Sequence, residues 1–274
     1  MKKTVAFIGT GAMASAIIKG ASAKIDPSLF LLTDKVPGKA KALADELGCT
    51  AVASNQEAVE RADYVFLCVK PQMSGPALAE IAPILQRSPK VLCSILAGTS
   101  IQTIRTALGV PNYPVVRIMP NTPALIGKGQ MLITCDEHVP ESAQTDVLEI
   151  LAACGESLWL GEQFFDQGTA ISGSSPAFVY IFIEAMADAG VQIGLPRAQA
   201  ISMAARAVYG AAAMVLETDA HPGALKDMVT SPGGSTIAGV LALEAEGLRN
   251  AVIQATLASY ERNVQMGQLS GASS

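Results

Sequence analysis

The chain has 274 residues, 50% of them hydrophobic, and a formal net charge of −5. That is enough apolar material for one or two well-cored domains, and the acidic balance gives no support to nucleic acid as a partner. The five cysteines (Cys49, Cys68, Cys93, Cys135, Cys154) form no C-x-x-C pair, and His138 and His221 lie near prolines in expected loops, so the pattern predicts reduced cysteines in a cytoplasmic protein, no metal cluster and no Ser-His-Asp nucleophile.

The chain opens MKKTVAFIG, basic and then apolar, but the run is too broken for a signal peptide; Thr4–Ile8 is expected as a strand. Gly9-Thr10-Gly11-Ala12-Met13-Ala14 follows, a G-x-G-x-x-A loop opening the helix Met13–Ala21. In that context Gly9 permits the tight turn, Gly11 admits a pyrophosphate to the backbone, and Ala14 keeps helix and strand close. Ile8 through Met13 are therefore expected to face a dinucleotide. The next strand, Leu29–Thr33, ends in Asp34-Lys35. Asp34 stands where a carboxylate holds the ribose diol of NAD, while Lys35, Lys39 and Lys41 offer charge to the 2′-phosphate of NADP; the residues leave both open. Helices Gly38–Leu47 and Asn55–Ala62 follow, with Asn55 as helix start or cap. Strands Tyr64–Val69 and Val91–Ile95 bring Cys68, Val69, Lys70 and Pro71, then Ala97 and Gly98, to carboxyl ends where a parallel sheet opens its cofactor crevice. Helix Ser100–Ala107 and strand Val115–Ile118 continue the alternation, with Gly129–Cys135 and Ser157–Leu160 as edge strands. The pattern predicts an α/β fold, a Rossmann-type doubly wound sheet.

Beyond Gly161 the strands stop. Segments 163–171, 176–192, 196–218, 234–246 and 248–266 read as helices whose apolar residues cover more than one face. Arg206, Glu184 and Asp188 interrupt these runs, so no membrane span is expected. An all-α domain this rich in apolar surface is expected to dimerise. One knot, Ser231-Pro232-Gly233-Gly234-Ser235-Thr236, stands just ahead of a helix. It reads either as a helix–helix turn with a hydroxyl cap or as an anion cradle of bare backbone N–H groups.

Together these motifs resemble the Δ1-pyrroline-5-carboxylate reductase family essentially end to end. They are G-x-G-x-M-A (Gly9–Ala14), V-K-P (Val69–Pro71), R-x-M-P-N-T-P (Arg117–Pro123), E-x-x-x-D (Glu162–Asp166), S-G-S-x-P-A (Ser172–Ala177), G-L-P-R (Gly194–Arg197) and the block from His221 to Thr236. The resemblance implies hydride transfer from NADPH, with NADH as the alternative, to the C=N carbon of a cyclic imine, giving L-proline. It implies a dinucleotide-binding domain over 1–161 and a helical substrate and dimerisation domain over 162–274. Backbone N–H groups around Gly233, Gly234, Ser235 and Thr236 would hold the substrate carboxylate, and the Thr236 hydroxyl would orient the imine nitrogen, making it the catalytic candidate. Glu162 and Asp219 fall where the family carries acidic residues near the substrate. The family forms homodimers, in some members decamers, with each active site joining two subunits.

The residues agree with imine chemistry. The helix SSPAFVYIFIEAMADAGVQIG holds no Lys or His base, which an alcohol substrate would need and an electrophilic C=N does not. Two departures stand out. Ser175 replaces the second glycine of the usual S-G-S-G-P-A, where it is expected to cap the helix and touch the substrate pocket. Asp34-Lys35 replaces the family's neutral–basic pair. The alternative reading is a reductase of another cyclic imine or small acid on the same scaffold.

Overall fold

A computed structural model describes residues 2–272. The chain divides into two compact units: residues through Ser174 joined by the segment from Ser259 onward, and residues 175–258. Among the described residues of the first unit, β1 (Val5–Ile8), β2 (Phe30–Thr33), β3 (Thr50–Ala51), β4 (Tyr64–Leu67), β5 (Val91–Ser94), β6 (Val115–Met119), β7 (Gly129–Thr134) and β8 (Gly155–Trp159) form one sheet in the order β3-β2-β1-β4-β5-β6-β7-β8. The first six strands are mutually parallel; β7 runs antiparallel to β6 and parallel to β8. Helices α1 (Ala12–Ser22), α2 (Lys39–Leu47), α3 (Asn55–Arg61), α4 (Ser74–Arg87), α5 (Ile101–Leu108) and α6 (Glu141–Leu151) cover it.

Strands covered on both faces need apolar residues throughout, which is why β1 reads VAFI without alternation. Val5 and Phe7 meet Ile17, Leu43 and Ile150 of α1, α2 and α6. Ala6 and Ile8 meet Ala58, Ile81 and Ile104 of α3, α4 and α5 on the opposite face. Phe7 stacks on Phe66 with ring centroids 4.9 Å apart. The doubly wound sheet expected from the sequence is present. Residues 129–135, expected as an edge strand, are interior: β7 lies between β6 and β8, and the edges are β3 and β8. The link from β6 to β7 holds only a short 3-10 turn (Thr122–Ile126), too little chain for a parallel crossover, so β7 returns antiparallel.

Past β8 the chain runs helically through α7 (Phe165–Gly168), a π turn (Thr169–Ser174) and α8 (Ser175–Gln192). The break expected between 171 and 176 is absent, and Ser175 does not cap a helix start. The widened turn carries the chain through the Ser-Gly-Ser stretch without ending the helix.

The second unit comprises α8, α9 (Arg197–Thr218), α10 (Pro222–Met228), α11 (Ser235–Ala245) and the first turns of α12 (Leu248–Ala272). Small residues let α8 and α9 approach: a Cβ on Gly190 would stand 3.0 Å from that of Ala200. Arg197 at the start of α9 pairs with Asp188 of α8. His221, expected in a loop, is instead the N-cap of α10, its Nδ1 accepting the Gly223 N–H at 3.1 Å. By length and composition Glu162–Gln192 and Arg197–Thr218 would suffice to cross a membrane, contrary to the expectation drawn from Arg206, Glu184 and Asp188. The charges scattered along these two long helices dilute their apolar character without abolishing it.

Candidate active site

The sheet reverses its winding at β1, and there the glycine loop leaves the strand. Gly9 donates its N–H to Thr33 O at 2.8 Å, and Cys68 N–H reaches Ile8 O at 2.8 Å, so the loop is threaded between β2 and β4. Gly9 has φ +95°, and a Cβ there would lie 2.7 Å from the Cys68 carbonyl oxygen, so no other residue fits. Gly11 is the reverse case: a Cβ would meet nothing within 4 Å. It is the N-cap of α1, with no side chain to close the helix start, so the open space faces bare N–H groups and suits a pyrophosphate.

That space belongs to a cleft of about 680 Å³ bordered by Ile8, Gly9 and Gly11 on one side and Asp34, Lys35 and Lys39 on another, with Asn55 and Cys68, Val69 and Lys70 completing it. Most of the expected cofactor residues are among them, gathered by the fold. Ser54, not Asn55, caps α3: its Oγ accepts the Glu57 N–H at 3.1 Å, while Asn55 donates to Glu80 at 2.7 Å. Burial pushes the Cys68 thiol far up, so it lines the cleft as an inert wall. Thr10, Ala12, Met13, Pro71, Ala97 and Gly98, also expected there, do not border the cleft; Thr10 is buried with its hydroxyl turned to Asp34. Gly98 packs against Met266 and Gly267 of α12, where a Cβ would stand 3.3 Å from the Gly267 nitrogen.

Asp34 does not point its carboxylate into open space. Oδ2 accepts from the Thr10 N–H at 2.7 Å and the Thr10 hydroxyl at 2.8 Å; Oδ1 accepts from the Val36 N–H at 2.9 Å. Partial burial would raise its pKa, but these hydrogen bonds and Lys39, 3.6 Å away, together hold it below the ordinary aspartate value.

A second cluster ties the end of β6 to the start of the helical run. Arg117 is 7% exposed; its Nη1 donates to Glu162 Oε1 at 3.2 Å, its Nη2 lies 3.7 Å from Asp166, and its guanidinium sits 4.4 Å over the Phe165 ring. Burial lowers the Arg117 pKa, while Glu162 and Asp166 oppose that shift. Glu162 Oε1 also accepts the Ile101 N–H at 2.8 Å, binding the first turn of α5. Beside this cluster Asn121 donates to Ser172 O and accepts from Gln130 N–H, both at 2.9 Å, fastening the M-P-N-T-P loop to the π turn. Arg117 and Asn121 were not singled out from the sequence. Their only signal was membership in the R-x-M-P-N-T-P motif, because their partners lie far along the chain.

Asp136, Glu137 and His138 bring potential ligand atoms within 4.8 Å of one another, a grouping not anticipated from the sequence. Asp136 is already held by Arg105 through two hydrogen bonds of 2.6 and 3.0 Å, so the group closes an ion pair beside a fixed positive charge.

In the second unit the Ser231–Thr236 knot resolves into a turn and a helix start. Gly234 donates its N–H to Ser231 O at 3.0 Å, and Gly233 takes φ +66°. Gly234 is the N-cap of α11 and offers no side chain to the first N–H groups. Both readings of the knot therefore apply: it turns the chain, and it leaves a helix N-terminus bare beside the exposed hydroxyls of Ser235 and Thr236. Asp219 ends α9 in the left-handed conformation with φ +52°.

Comparison with known proteins extends this picture. Residues 162–266 match the family model for pyrroline-5-carboxylate reductase dimerisation, and residues 4–98 match that for coenzyme F420-dependent NADP oxidoreductases. The pyrroline-5-carboxylate reductase of Escherichia coli K12 is 43% identical over 270 residues, covering 98% of this chain and all of that one (100%). That of Glycine max is 37% identical, covering 96% of each chain. Among solved structures, Plasmodium falciparum pyrroline carboxylate reductase with NADP bound superposes with a TM-score of 0.88 at 32% identity, covering 97% of this chain and 98% of that one. The Coxiella burnetii pyrroline-5-carboxylate reductase gives 0.90 at 30% identity, covering 97% and 99%.

Proposed function

This chain belongs to the pyrroline-5-carboxylate reductase family, and from that premise we propose that it reduces 1-pyrroline-5-carboxylate to L-proline with NADPH, the last step of proline biosynthesis. The dinucleotide, when bound, supplies the hydride that adds to the C=N carbon. Gly11 and the first N–H groups of α1 hold its pyrophosphate, and Lys35 and Lys39 meet its 2′-phosphate. The bare N-terminus of α11 holds the substrate carboxylate, aided by the helix dipole. With the ring so anchored, Thr236 orients the imine nitrogen through its hydroxyl and steadies the proton it carries. No strong base is required, because the acceptor carbon is already electrophilic. Ser175 and Asp219 border the substrate. Glu162 acts through Arg117 and α5, keeping the sheet's carboxyl edge in place.

The observation that carries this reading is the uncapped start of α11 behind Gly233-Gly234, whose free N–H groups suit a carboxylate, in a chain that also carries a cleft suited to a dinucleotide. The test is oxidation of NADPH, and separately NADH, by purified protein with pyrroline-5-carboxylate. Proline should form in step with NADPH consumed; cofactor binding without proline would overturn the assignment.

The exposed apolar sides of α8, α9, α11 and α12 we assign to a homodimer of a cytoplasmic enzyme rather than to a membrane, with no nucleic-acid partner; the dimerisation segment is taken from residue 162, where the family match begins, although the compact units divide after Ser174. Each cofactor cleft is completed by the partner subunit's helical domain, as the family resemblance implies. Light scattering should give twice the 28.3 kDa chain mass or, if dimers assemble to a decamer, ten times it.

A further inference from the structure

We propose that Asp34 is the latch of the glycine loop and not a ligand of the ribose, so that the 2′ position of the dinucleotide is read by Lys35 and Lys39; this rests on reading the cleft as an NADPH site. An aspartate at the end of the second strand ordinarily offers its carboxylate to the hydroxyls of an adenosine ribose. Here that carboxylate is already engaged. Oδ2 holds both the backbone N–H and the hydroxyl of Thr10, and Oδ1 holds the Val36 N–H. The side chain is 10% exposed, and Thr10 is buried.

Two consequences follow from that geometry. Thr10 lies between two glycines, and without a restraint their backbone would be free to move. The latch fixes the loop before a dinucleotide arrives and so lowers the ordering cost of binding either NAD or NADP. The second consequence concerns charge. Three hydrogen-bond donors and Lys39 already face the carboxylate, so it repels a nearby phosphate less than a bare aspartate would. Lys35 and Lys39 border the same cleft and present their charge to a 2′-phosphate.

The test is calorimetric titration of NADP⁺ and NAD⁺ into the intact protein and four variants, with melting of each unliganded variant as a control. Asp34→Ala should weaken both dinucleotides by the same factor, about tenfold, as loss of a charge-assisted hydrogen-bond cluster predicts. Thr10→Val should weaken both about threefold, and Thr10→Ser, which keeps the hydroxyl, should restore them. Lys35→Met should weaken NADP⁺ about tenfold and leave NAD⁺ unchanged. Loss of NAD⁺ affinity alone in Asp34→Ala, or a gain for NADP⁺, would identify a ribose ligand and overturn the latch. Should Asp34→Ala not fold, the Thr10 pair carries the same decision: equal affinities for Thr10→Val and Thr10→Ser would overturn it. Failure of the unaltered protein to bind either dinucleotide would instead overturn the reading of the cleft.

Discussion

In the sheet unit Val5, Phe7, Phe66 and Leu67 are entirely shielded from solvent, whereas in the helical unit Ile181 is 66% and Leu216 81% exposed. Both segments are comparably apolar in sequence. The sheet receives helices on both faces from its own chain. The long helices α8 and α9 bury mainly Ala187, Ala200 and Ala204 against each other, leaving their large side chains outward. Apolar composition therefore reports burial in the final assembly and not in the single chain. The helical unit's core is proposed to form between subunits.

This contrast can be broken most severely from the helical side. Ile181→Asp places a charge on the exposed apolar face of α8 and should convert the proposed dimer to monomer in light scattering, while the sheet unit keeps its secondary structure. A dimer that survives would remove that face from the interface. Arg117→Ala attacks the sheet side instead, stranding Glu162 and Asp166; unfolding experiments should register a loss of about 3 kcal/mol. If Thr236 orients the imine as proposed, Thr236→Ala should lower turnover about a hundredfold with dinucleotide affinity nearly intact. Equal loss of both would remove Thr236 from its assigned role. Gly11→Val should leave the unliganded melting temperature unchanged, there being open space for the side chain, yet weaken cofactor binding at least about tenfold. Unchanged affinity would take the loop out of the site. The smallest effect is on pH. For both Asp34 and Asp136 burial raises the pKa, but hydrogen bonds outweigh it and leave each below the unfolded value of 3.8. Their stabilisation is therefore complete above that value and fades as pH falls through the folded pKa values, so acid titration should loosen the sheet unit only below about pH 4.

The same contrast explains what could be read from the sequence. The parallel strands and the glycine loop announce themselves locally, through uninterrupted apolar runs and the G-x-G spacing. Helices with mixed signals were harder. Helix α4 carries Pro83 in its interior, and the Ser172–Ser174 stretch reads as a break although the helix widens and continues. Thr10 and Asp34 each stood out individually, but that one holds the other follows only from the loop's position over the end of β2. Likewise nothing near Arg117 in sequence points to Glu162 or Asp166, which become its partners only through the fold.

The sheet unit is discontinuous in sequence, and that has a consequence for synthesis. Ser259 donates its hydroxyl to Ser174 at 2.6 Å, Asn263 reaches the Asp166 carbonyl at 3.4 Å, and Gly267 packs on the loop at Gly98. A nascent chain that has released residues through Ser174 from the ribosome lacks the segment that covers this loop until all of 175–258 has been translated. The nucleotide-binding unit therefore begins to fold first and is completed last, which ties its maturation to translation of the whole helical unit.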